Sequence, residues 1–536
     1  MRPATATLSA ALAEARVPIE ALELHACGVV GREAASVCAA LMRHSSRLLA
    51  VHSLRRLTID VDGLEADRGL ASGLVALLRR AHGLERLRLL SARGRVPPPQ
   101  ERGSGADSVA AAFARLVGGE PAESLACASL AALSDCAPPL ALLDLSGLDL
   151  STPEPSLSLR LMRLALLPRL ARLSLDATGI SSDALCTCVS ALLRKHHGAG
   201  GPEAAGPRLH LSIARNGLGP VGGLKLAEAL SGGAPLASLD ARGNGFGASA
   251  LAALVTALTG VRTLGTLSLG ANLRPAPASA PPAAVRRSGS SASSGAARES
   301  AGGASRAAGG SGAGHSQTWP SEDTDGELCP APRLATSPSV RAAARREDDA
   351  AALQQLAAAV AALLANPACL LRRLELGGGG GDGSPGGASG GGGGAGYGGL
   401  LSAVLVALAA NTSLTDADLS CHPSAAAEPA VESALVAVLV GNRSLQALQL
   451  HGCGLPLGAA ASAVGAWERS NLTLQRLRLW RIEPAALPEA AAVAALQAEG
   501  VPPGFVPSAR ALATRAVAVA RRNARISEAM ERALGD

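Results

Sequence analysis

Aromatic residues are nearly absent from this chain of 536 residues, which contains three Phe, three Trp and one Tyr. Hydrophobic residues nevertheless make up 48% of the sequence, so Leu and Ala must fill most of the core. Packing by so few residue types is typical of a stack of small, similar layers. The composition therefore favours a repeat protein over the several separate globular domains that this length would otherwise predict.

Motifs that carry chemistry are also missing. No two cysteines have the spacing Cys-x-x-Cys, and the closest pair is Cys186 and Cys188, so we expect no zinc site. The sequence has no His-Glu-x-x-His motif and no phosphate-binding loop, because the glycine-rich segment 377–399 is not followed by Lys-Ser/Thr. We therefore predict a protein that is not an enzyme and that binds no cofactor and no metal.

Concentrated charge and long apolar runs are absent too. The net charge of +6 is spread over the chain, which argues against nucleic-acid binding. Residues 1–17 contain no continuous apolar segment, and the apolar runs 356–365 and 403–410 are too short to span a bilayer. We expect neither a secretory signal nor a transmembrane segment, and we predict a cytoplasmic protein with reduced cysteines.

One pattern recurs throughout the sequence: an apolar residue, two others, Leu, one other, Leu, two others, then often Asn or Cys. Two clear copies are Leu236-Leu239-Ala241-Asn244 and Leu445-Leu448-Leu450-Cys453. Neighbouring copies often begin 28 to 31 residues apart. The residues between the two Leu positions are Glu23, Thr58, Arg88, Asp144, Ser174, Ser212, Asp240, Ser268, Glu375, Asp418, Gln449 and Arg478.

All twelve of these middle residues are polar, which indicates strands. Alternate side chains of a strand point to opposite faces, so each Leu faces a core and each middle residue faces outward. Apolar residues at helical spacing follow the strands, for example in 184–194, 248–258 and 431–440. We predict an α/β leucine-rich-repeat solenoid, a horseshoe with a parallel sheet on its concave face and helices on its convex face.

Three of the predicted helices end at an asparagine that also begins a glycosylation sequon: Asn411, Asn442 and Asn471. Asn tolerates the left-handed conformation that ends many helices. We therefore predict that these residues stop the helices in that conformation, and that the sequons have a structural origin rather than marking glycosylation.

Composition shifts divide the chain into four segments. The segment 273–346 is rich in Pro, Ser, Gly and Ala, which predicts a disordered insertion within a repeat. Residues 91–139 leave room for a degenerate repeat, and a helix at 508–522 closes the end. The predicted organisation is repeats at 1–272, the insertion at 273–346, repeats at 347–482 with a glycine-rich loop at 377–399, and a helical cap at 483–536.

A candidate protein-binding site lies on the predicted concave face, because strand residues two apart share that face. Trp and Arg are enriched at interface hot spots, so the last strand is its most promising part. The alternative for Trp480 is that it packs under the cap. The predicted site consists of Arg373, Glu375, Asp416, Asp418, Gln449, His451, Arg476, Arg478 and Trp480.

The repeats resemble the ribonuclease-inhibitor type of leucine-rich repeat. The segment 236–247, Leu-Ala-Ser-Leu-Asp-Ala-Arg-Gly-Asn-Gly-Phe-Gly, and the segments 471–479 and 511–523 are similar to the repeat domain of the CARMIL (capping-protein and myosin-I linker) family. This resemblance covers about residues 205–525. It implies a scaffold that binds proteins, including actin-regulatory ones.

Not all of that family's activity is expected here. The linear motif with which the family acts on capping protein is not found after the repeats, so the resemblance does not extend to uncapping. Two alternatives stay open: a Ran-type GTPase-activating protein, which would bind a small GTPase, and a binding protein of the ribonuclease-inhibitor or immune-sensor kind. The first family usually carries an acidic tail, whereas residues 515–536 have mixed charge.

Overall fold

The computed structural model contains one parallel β-sheet. It describes residues 19–24, 54–60, 68–91, 125–151, 155–165, 167–198, 208–232, 235–273, 338–377, 397–420, 429–479 and 506–535, with single residues at 7, 10, 11, 36, 37, 39, 40, 488 and 491. Within these ranges the sheet has twelve strands in sequence order, and every neighbouring pair is parallel. The strands are β1 (Ala21–Leu24), β2 (Arg56–Asp60), β3 (Arg86–Leu90), β4 (Leu142–Asp144), β5 (Arg172–Ser174), β6 (Leu209–Ser212), β7 (Leu236–Asp240), β8 (Thr266–Ser268), β9 (Arg373–Glu375), β10 (Asp416–Asp418), β11 (Ala447–Gln449) and β12 (Arg476–Arg478).

Helices alternate with these strands, which confirms the predicted α/β class and the repeated strand–helix unit. Each of the twelve predicted middle residues lies in one of the twelve strands. The helices in the described ranges are α1 (Arg68–Arg80), α2 (Leu125–Cys136), α3 (Pro155–Ala165), α4 (Ser182–Gly198), α5 (Gly219–Leu230), α6 (Gly247–Leu258), α7 (Pro338–Ala365), α8 (Tyr397–Ala410), α9 (Pro429–Gly441), α10 (Leu457–Ser470) and α11 (Val506–Gly535).

The core lies between the sheet and the helices. The strand register aligns one apolar residue from each strand in a column that crosses the sheet, and Leu87, Leu239 and Leu448 in this column have no exposed surface. Helix α9 buries Leu435 and Leu439 against the same core, at the spacing of one helical turn. Each fully buried Leu contributes about 2 kcal/mol, so many small layers together replace the aromatic core that the chain lacks.

The outward direction of the middle residues needs one correction. Thr58, Asp144 and Ser268 are buried, with 5%, 8% and 6% of their surface exposed. Strands in a sheet lie about 4.8 Å apart, so a short side chain is covered by longer side chains on the neighbouring strands. Arg88 covers Asp144 in this way and donates a hydrogen bond to it.

The predicted insertion interrupts the sequence but not the sheet. β8 pairs directly with β9, with Leu267 opposite Leu374. The hydroxyl of Tyr397 donates a 2.9 Å hydrogen bond to the carbonyl of Leu273, so the start of α8 is tied to the last described residue before residue 274. Residues 1–275 and 346–536 form one compact unit, which contains the whole sheet, and Ala276–Arg345 belong to a second.

Two predicted boundaries differ from the structure. Helix α7 begins at Pro338, so residues 338–346, predicted to be disordered, are helical. The predicted glycine-rich loop is shorter than expected, because Gly377 is buried beside β10 and α8 begins at Tyr397. Residues 274–337 and 378–396 lie outside the described residues. So does the segment 480–487, which contains the predicted boundary between the repeats and the cap at 482/483.

The segment 91–139 adds no strand between its neighbours, because β3 and β4 pair directly, with Leu87 opposite Leu143. Its described part contains the helix α2. At the other end of the chain, α11 extends the helix predicted at 508–522 to Val506–Gly535. It packs against α10 and β12.

The prediction for the helix-ending asparagines is wrong in its mechanism. Asn471 has φ −114° and ψ 118°, which is extended rather than left-handed backbone. Its side-chain oxygen accepts hydrogen bonds from the backbone N–H groups of Thr473 and Leu474, and its Nδ2 donates to the carbonyl of Asn442. Asparagine is thus used here for its side-chain donor and acceptor, not for its backbone freedom.

This arrangement repeats before consecutive strands. We call the series Asn411, Asn442, Asn471 and Asn523 the pre-strand ladder. The first three are the sequon asparagines, and their amides donate to backbone carbonyls of the preceding repeat. Asn523, from α11, takes the next place by donating to the carbonyls of Asn471 and Leu474. All four are buried.

A second series follows the strands in the first half of the chain. We call Asn216, Asn244 and Asn272 the post-strand ladder. The side-chain oxygen of Asn244 accepts a 2.9 Å hydrogen bond from the backbone N–H of Asn216, and that of Asn272 accepts one of 2.8 Å from Asn244. In the post-strand ladder, each asparagine oxygen therefore accepts a backbone N–H from the turn of the preceding repeat. In the pre-strand ladder, each asparagine oxygen accepts backbone N–H groups from its own turn.

Candidate functional site

The face of the sheet turned away from the Leu column is polar, and the strand register arranges its side chains in rows. We call it the polar face. Row one contains the first outward residue of each strand: Ala21, Arg56, Arg86, Leu142, Arg172, His210, Ser238, Thr266, Arg373, Asp416, Ala447 and Arg476. Row two lies two residues further along the strands and contains the twelve middle residues.

The structure brings most of the predicted site together on this face. Arg373, Asp416 and Arg476 are in row one, and the aligned residues Glu375, Asp418, Gln449 and Arg478 are in row two. His451 follows β11, and its Nδ1 is 2.8 Å from Oγ of Ser420. Trp480 lies outside the described residues.

Ion pairs connect residues of the site that are distant in sequence. Nη2 of Arg476 is 3.4 Å from a carboxylate oxygen of Asp416, two strands away. The pair is possible because the residue between them in row one is Ala447, whose small side chain leaves room for the arginine. Arg478, by contrast, is exposed and forms no ion pair with any residue that the structure describes.

Arg242, which was not among the predicted site residues, links two regions of the face. Its guanidinium is 2.7 Å from a carboxylate oxygen of Asp240 and 3.3 Å from one of Glu375. Hydrogen bonds and charge from these two carboxylates hold the pKa of Arg242 above its ordinary value. The sequence signal was available, because Arg242 lies two residues beyond Asp240 and so continues the same face.

A second missed feature is a chain of short polar side chains across β4 to β6. Oγ of Ser146 donates to Asp144 and is 2.7 Å from Oγ of Ser174. Oγ of Ser212 donates to Asp176, which also accepts the backbone N–H of Ala214. Burial raises the pKa of Asp176, although these two hydrogen bonds act in the opposite direction.

Burial shifts the pKa values of two further groups, His210 on the polar face and Cys188 in α4. His210 is 2.8 Å from Oγ of Ser238, and burial together with the charge of Arg172 lowers its pKa. Burial raises the pKa of the Cys188 thiol to about 12, so it is protonated and a poor nucleophile at neutral pH. Among the residues that the structure describes, no group of three His, Cys, Asp or Glu side chains could hold a metal ion.

The chain has no match among known protein families, and no curated protein is significantly similar to it. In the described part of the chain, one helical stretch, Asp348–Ala365, is long and apolar enough to cross a bilayer. It belongs to α7 and is longer than the apolar run 356–365. Leu356, Val360 and Leu363 on this helix are buried in the core, whereas Gln354 is exposed.

Proposed function

We propose that this protein is a non-catalytic scaffold that binds partner proteins on the polar face of a leucine-rich-repeat solenoid. The observation that carries the proposal is the polar face itself. It presents guanidinium, carboxylate, hydroxyl and imidazole groups from twelve parallel strands on one surface. Such a surface offers many directional contacts to another protein.

The leucine-rich-repeat assignment is supported by the position of the ladder asparagines. Asn216, Asn244 and Asn272 each follow a Leu-x-Leu or related strand by the predicted interval, and each is buried with its amide bonded to backbone. Strands in a sheet are about 4.8 Å apart and packed helices about 8–10 Å apart. Units stacked in this way are wider on the helix side, so we infer a curve with the polar face on its concave side.

The part of the face best suited to a partner is the last strand. Arg476 and Arg478 are exposed at the C-terminal edge of the sheet, and arginine is among the residues enriched at interface hot spots. By resemblance to the CARMIL family, we propose that the partners belong to the actin cytoskeleton.

The test is proximity labelling with the full chain, followed by affinity recovery of the labelled proteins. The variant Arg476→Glu/Arg478→Glu should recover each major partner at least tenfold less efficiently. The matched control is Arg194→Glu/Arg262→Glu, which makes the same charge change at two exposed arginines outside the polar face. Equal recovery with both double variants would reject the polar face as the binding surface.

A further inference from the structure

The charges of row one are almost all of one sign. Its charged residues are five arginines and one aspartate, and the aspartate, Asp416, is within 3.4 Å of Arg476. The other four arginines are exposed, and none forms an ion pair with any residue that the structure describes. We call these four the basic row: Arg56, Arg86, Arg172 and Arg373.

Three of the five acidic side chains of row two are already bonded to groups outside the basic row. Asp144 accepts hydrogen bonds from Arg88 and Ser146. Asp240 and Glu375 both contact Arg242. Within the described structure, no carboxylate lies within ion-pair distance of a guanidinium of the basic row.

Two adjacent arginines of the basic row repel each other and so oppose folding rather than supporting it. Arg56 and Arg86 are directly aligned on adjacent strands, about 4.8 Å apart. Like charges placed opposite each other on neighbouring strands are destabilising. An arrangement that costs stability and has no internal counter-ion is expected where an external anion binds, and each guanidinium can hold a carboxylate with two hydrogen bonds.

We propose that the basic row binds an acidic segment of a partner protein that crosses the strands; this inference rests on the proposed scaffold function. A nucleic acid fits this row less well than an acidic peptide. Proteins that bind single-stranded nucleic acids rely on aromatic stacking, and the whole chain contains seven aromatic residues.

The distances set the length of the probe. Arg56 in β2 and Arg373 in β9 are seven strand spacings apart, about 34 Å. An extended peptide of about ten residues spans about the same distance. The probe is therefore a fluorescein-labelled oligoglutamate of that length, and its binding to the full chain is measured by fluorescence anisotropy at low and physiological salt.

Two variants with equal loss of charge separate local contact from net charge. The row variant replaces Arg56, Arg86, Arg172 and Arg373 with Gln. The control variant makes the same substitution at four exposed arginines outside the polar face that form no ion pair with described residues: Arg80, Arg169, Arg194 and Arg262. We expect the row variant to bind oligoglutamate at least tenfold more weakly and the control variant to stay within threefold of the native chain.

An equal loss in both variants, or no binding of oligoglutamate by the native chain, would overturn the inference. Tighter binding of an oligothymidylate of equal charge would also overturn it and assign the row to nucleic acid. The failure of this proposal is distinguishable from failure of the scaffold function. Partner recovery that still depends on Arg476 and Arg478, without oligoglutamate binding, would leave the scaffold function standing and remove only the acidic partner.

Discussion

The two halves of the chain use the same residue for the same purpose at opposite ends of the strand. In the repeats of β6 to β8, buried asparagines follow the strand, and their side-chain oxygens accept N–H groups of the preceding repeat. In the repeats of β10 to β12, buried asparagines precede the strand and accept N–H groups of their own turn. In the repeats of β6 to β8, the turn N–H groups are therefore bonded to an asparagine of the next repeat. In the repeats of β10 to β12, they are bonded to an asparagine of the same turn.

This difference shows that the repeat requires hydrogen-bond partners for its buried backbone groups, and that asparagine can supply them from more than one position in the repeat. A strand–helix repeat has a turn at each end, and buried N–H and C=O groups in either turn require partners. An amide side chain offers both a donor and an acceptor in one short group. Cys453 takes the post-strand position after β11, and its thiol donates to the carbonyl of Leu419 in the preceding repeat.

The largest expected effect is the removal of one asparagine from either ladder. Asn244→Ala leaves the backbone N–H of Asn216 without its hydrogen-bond acceptor, and Asn442→Ala leaves two backbone N–H groups without theirs. Each substitution also removes one of the donors to two buried-turn carbonyls. We expect each substitution to lower the free energy of unfolding by about 3 kcal/mol, measured by urea denaturation. Gln354→Ala, at an exposed helical position, is the control and should change it by less than about 0.5 kcal/mol.

Amide hydrogen exchange can distinguish turns whose N–H groups are bonded to an asparagine of the next repeat from turns bonded to an asparagine of their own. In Asn244→Ala, the amide that becomes exposed is that of Asn216, in the preceding repeat. In Asn442→Ala, the exposed amides are those of Ser444 and Leu445, in the same turn. We expect exchange at these amides to accelerate at least about tenfold, the equivalent of about 1.4 kcal/mol. Acceleration confined to the mutated repeat in both variants would contradict the comparison.

The end of the pre-strand ladder should be less sensitive than its middle. Asn523→Ala removes two hydrogen bonds between α11 and the last repeat. The carbonyl of Leu474 also accepts a hydrogen bond from the indole N–H of Trp467 and so keeps a donor, and we therefore expect a loss of only about 1–2 kcal/mol. Limited proteolysis should show earlier cleavage within α11, and unchanged protection of this helix would indicate that Asn523 does not anchor it.

The post-strand turns also differ in the residue that adopts a positive φ. Ala271 has φ 61°, whereas Gly243 has φ 68° at the equivalent place. A residue with a Cβ is destabilised by about 1 kcal/mol or more in this region. We expect Ala271→Gly to raise the thermal midpoint by the equivalent of about 0.5 kcal/mol and Gly243→Ala to lower it by about 1 kcal/mol. A fall in both variants would show that turn entropy outweighs strain.

The smallest expected effect is a pH dependence of the free energy of unfolding, which arises from Asp176 after β5. Burial raises the pKa of Asp176 above its ordinary value of 3.8. The folded state then binds the proton more tightly than the unfolded state, so Asp176 lowers stability as pH rises from about 3.8 through its raised pKa. Asp176→Asn should remove this decline in urea titrations across that interval, and an unchanged slope would assign the decline to other carboxylates.

The strands were predictable from the sequence because their signal is strong and local. Leu-x-Leu with a polar middle residue identified all twelve, from Glu23 to Arg478. The rows of the polar face followed from the same alternation, which placed Asp416 and Arg476 on one surface. The parallel pairing of neighbours followed from the repetition of similar units.

Features that depend on contacts between repeats were not predictable in this way. The roles of Asn471 and Asn523 arise from carbonyls that only the strand register brings within reach. The position of Arg242 between Asp240 and Glu375 requires β7 and β9 to lie two strands apart, although 133 residues separate Arg242 from Glu375. The start of α7 at Pro338 lies in a stretch whose composition alone favoured disorder.

The connection between β8 and β9 is well suited to sequence insertions, because β8 pairs directly with β9 and Tyr397 is hydrogen-bonded to Leu273. Both ends of any segment placed there are held by contacts that the segment does not itself provide. Doubling the length of such a segment costs only about 0.6 kcal/mol in loop-closure entropy. A reporter domain or a binding peptide could therefore be installed at this point while the register of the sheet stays as it is.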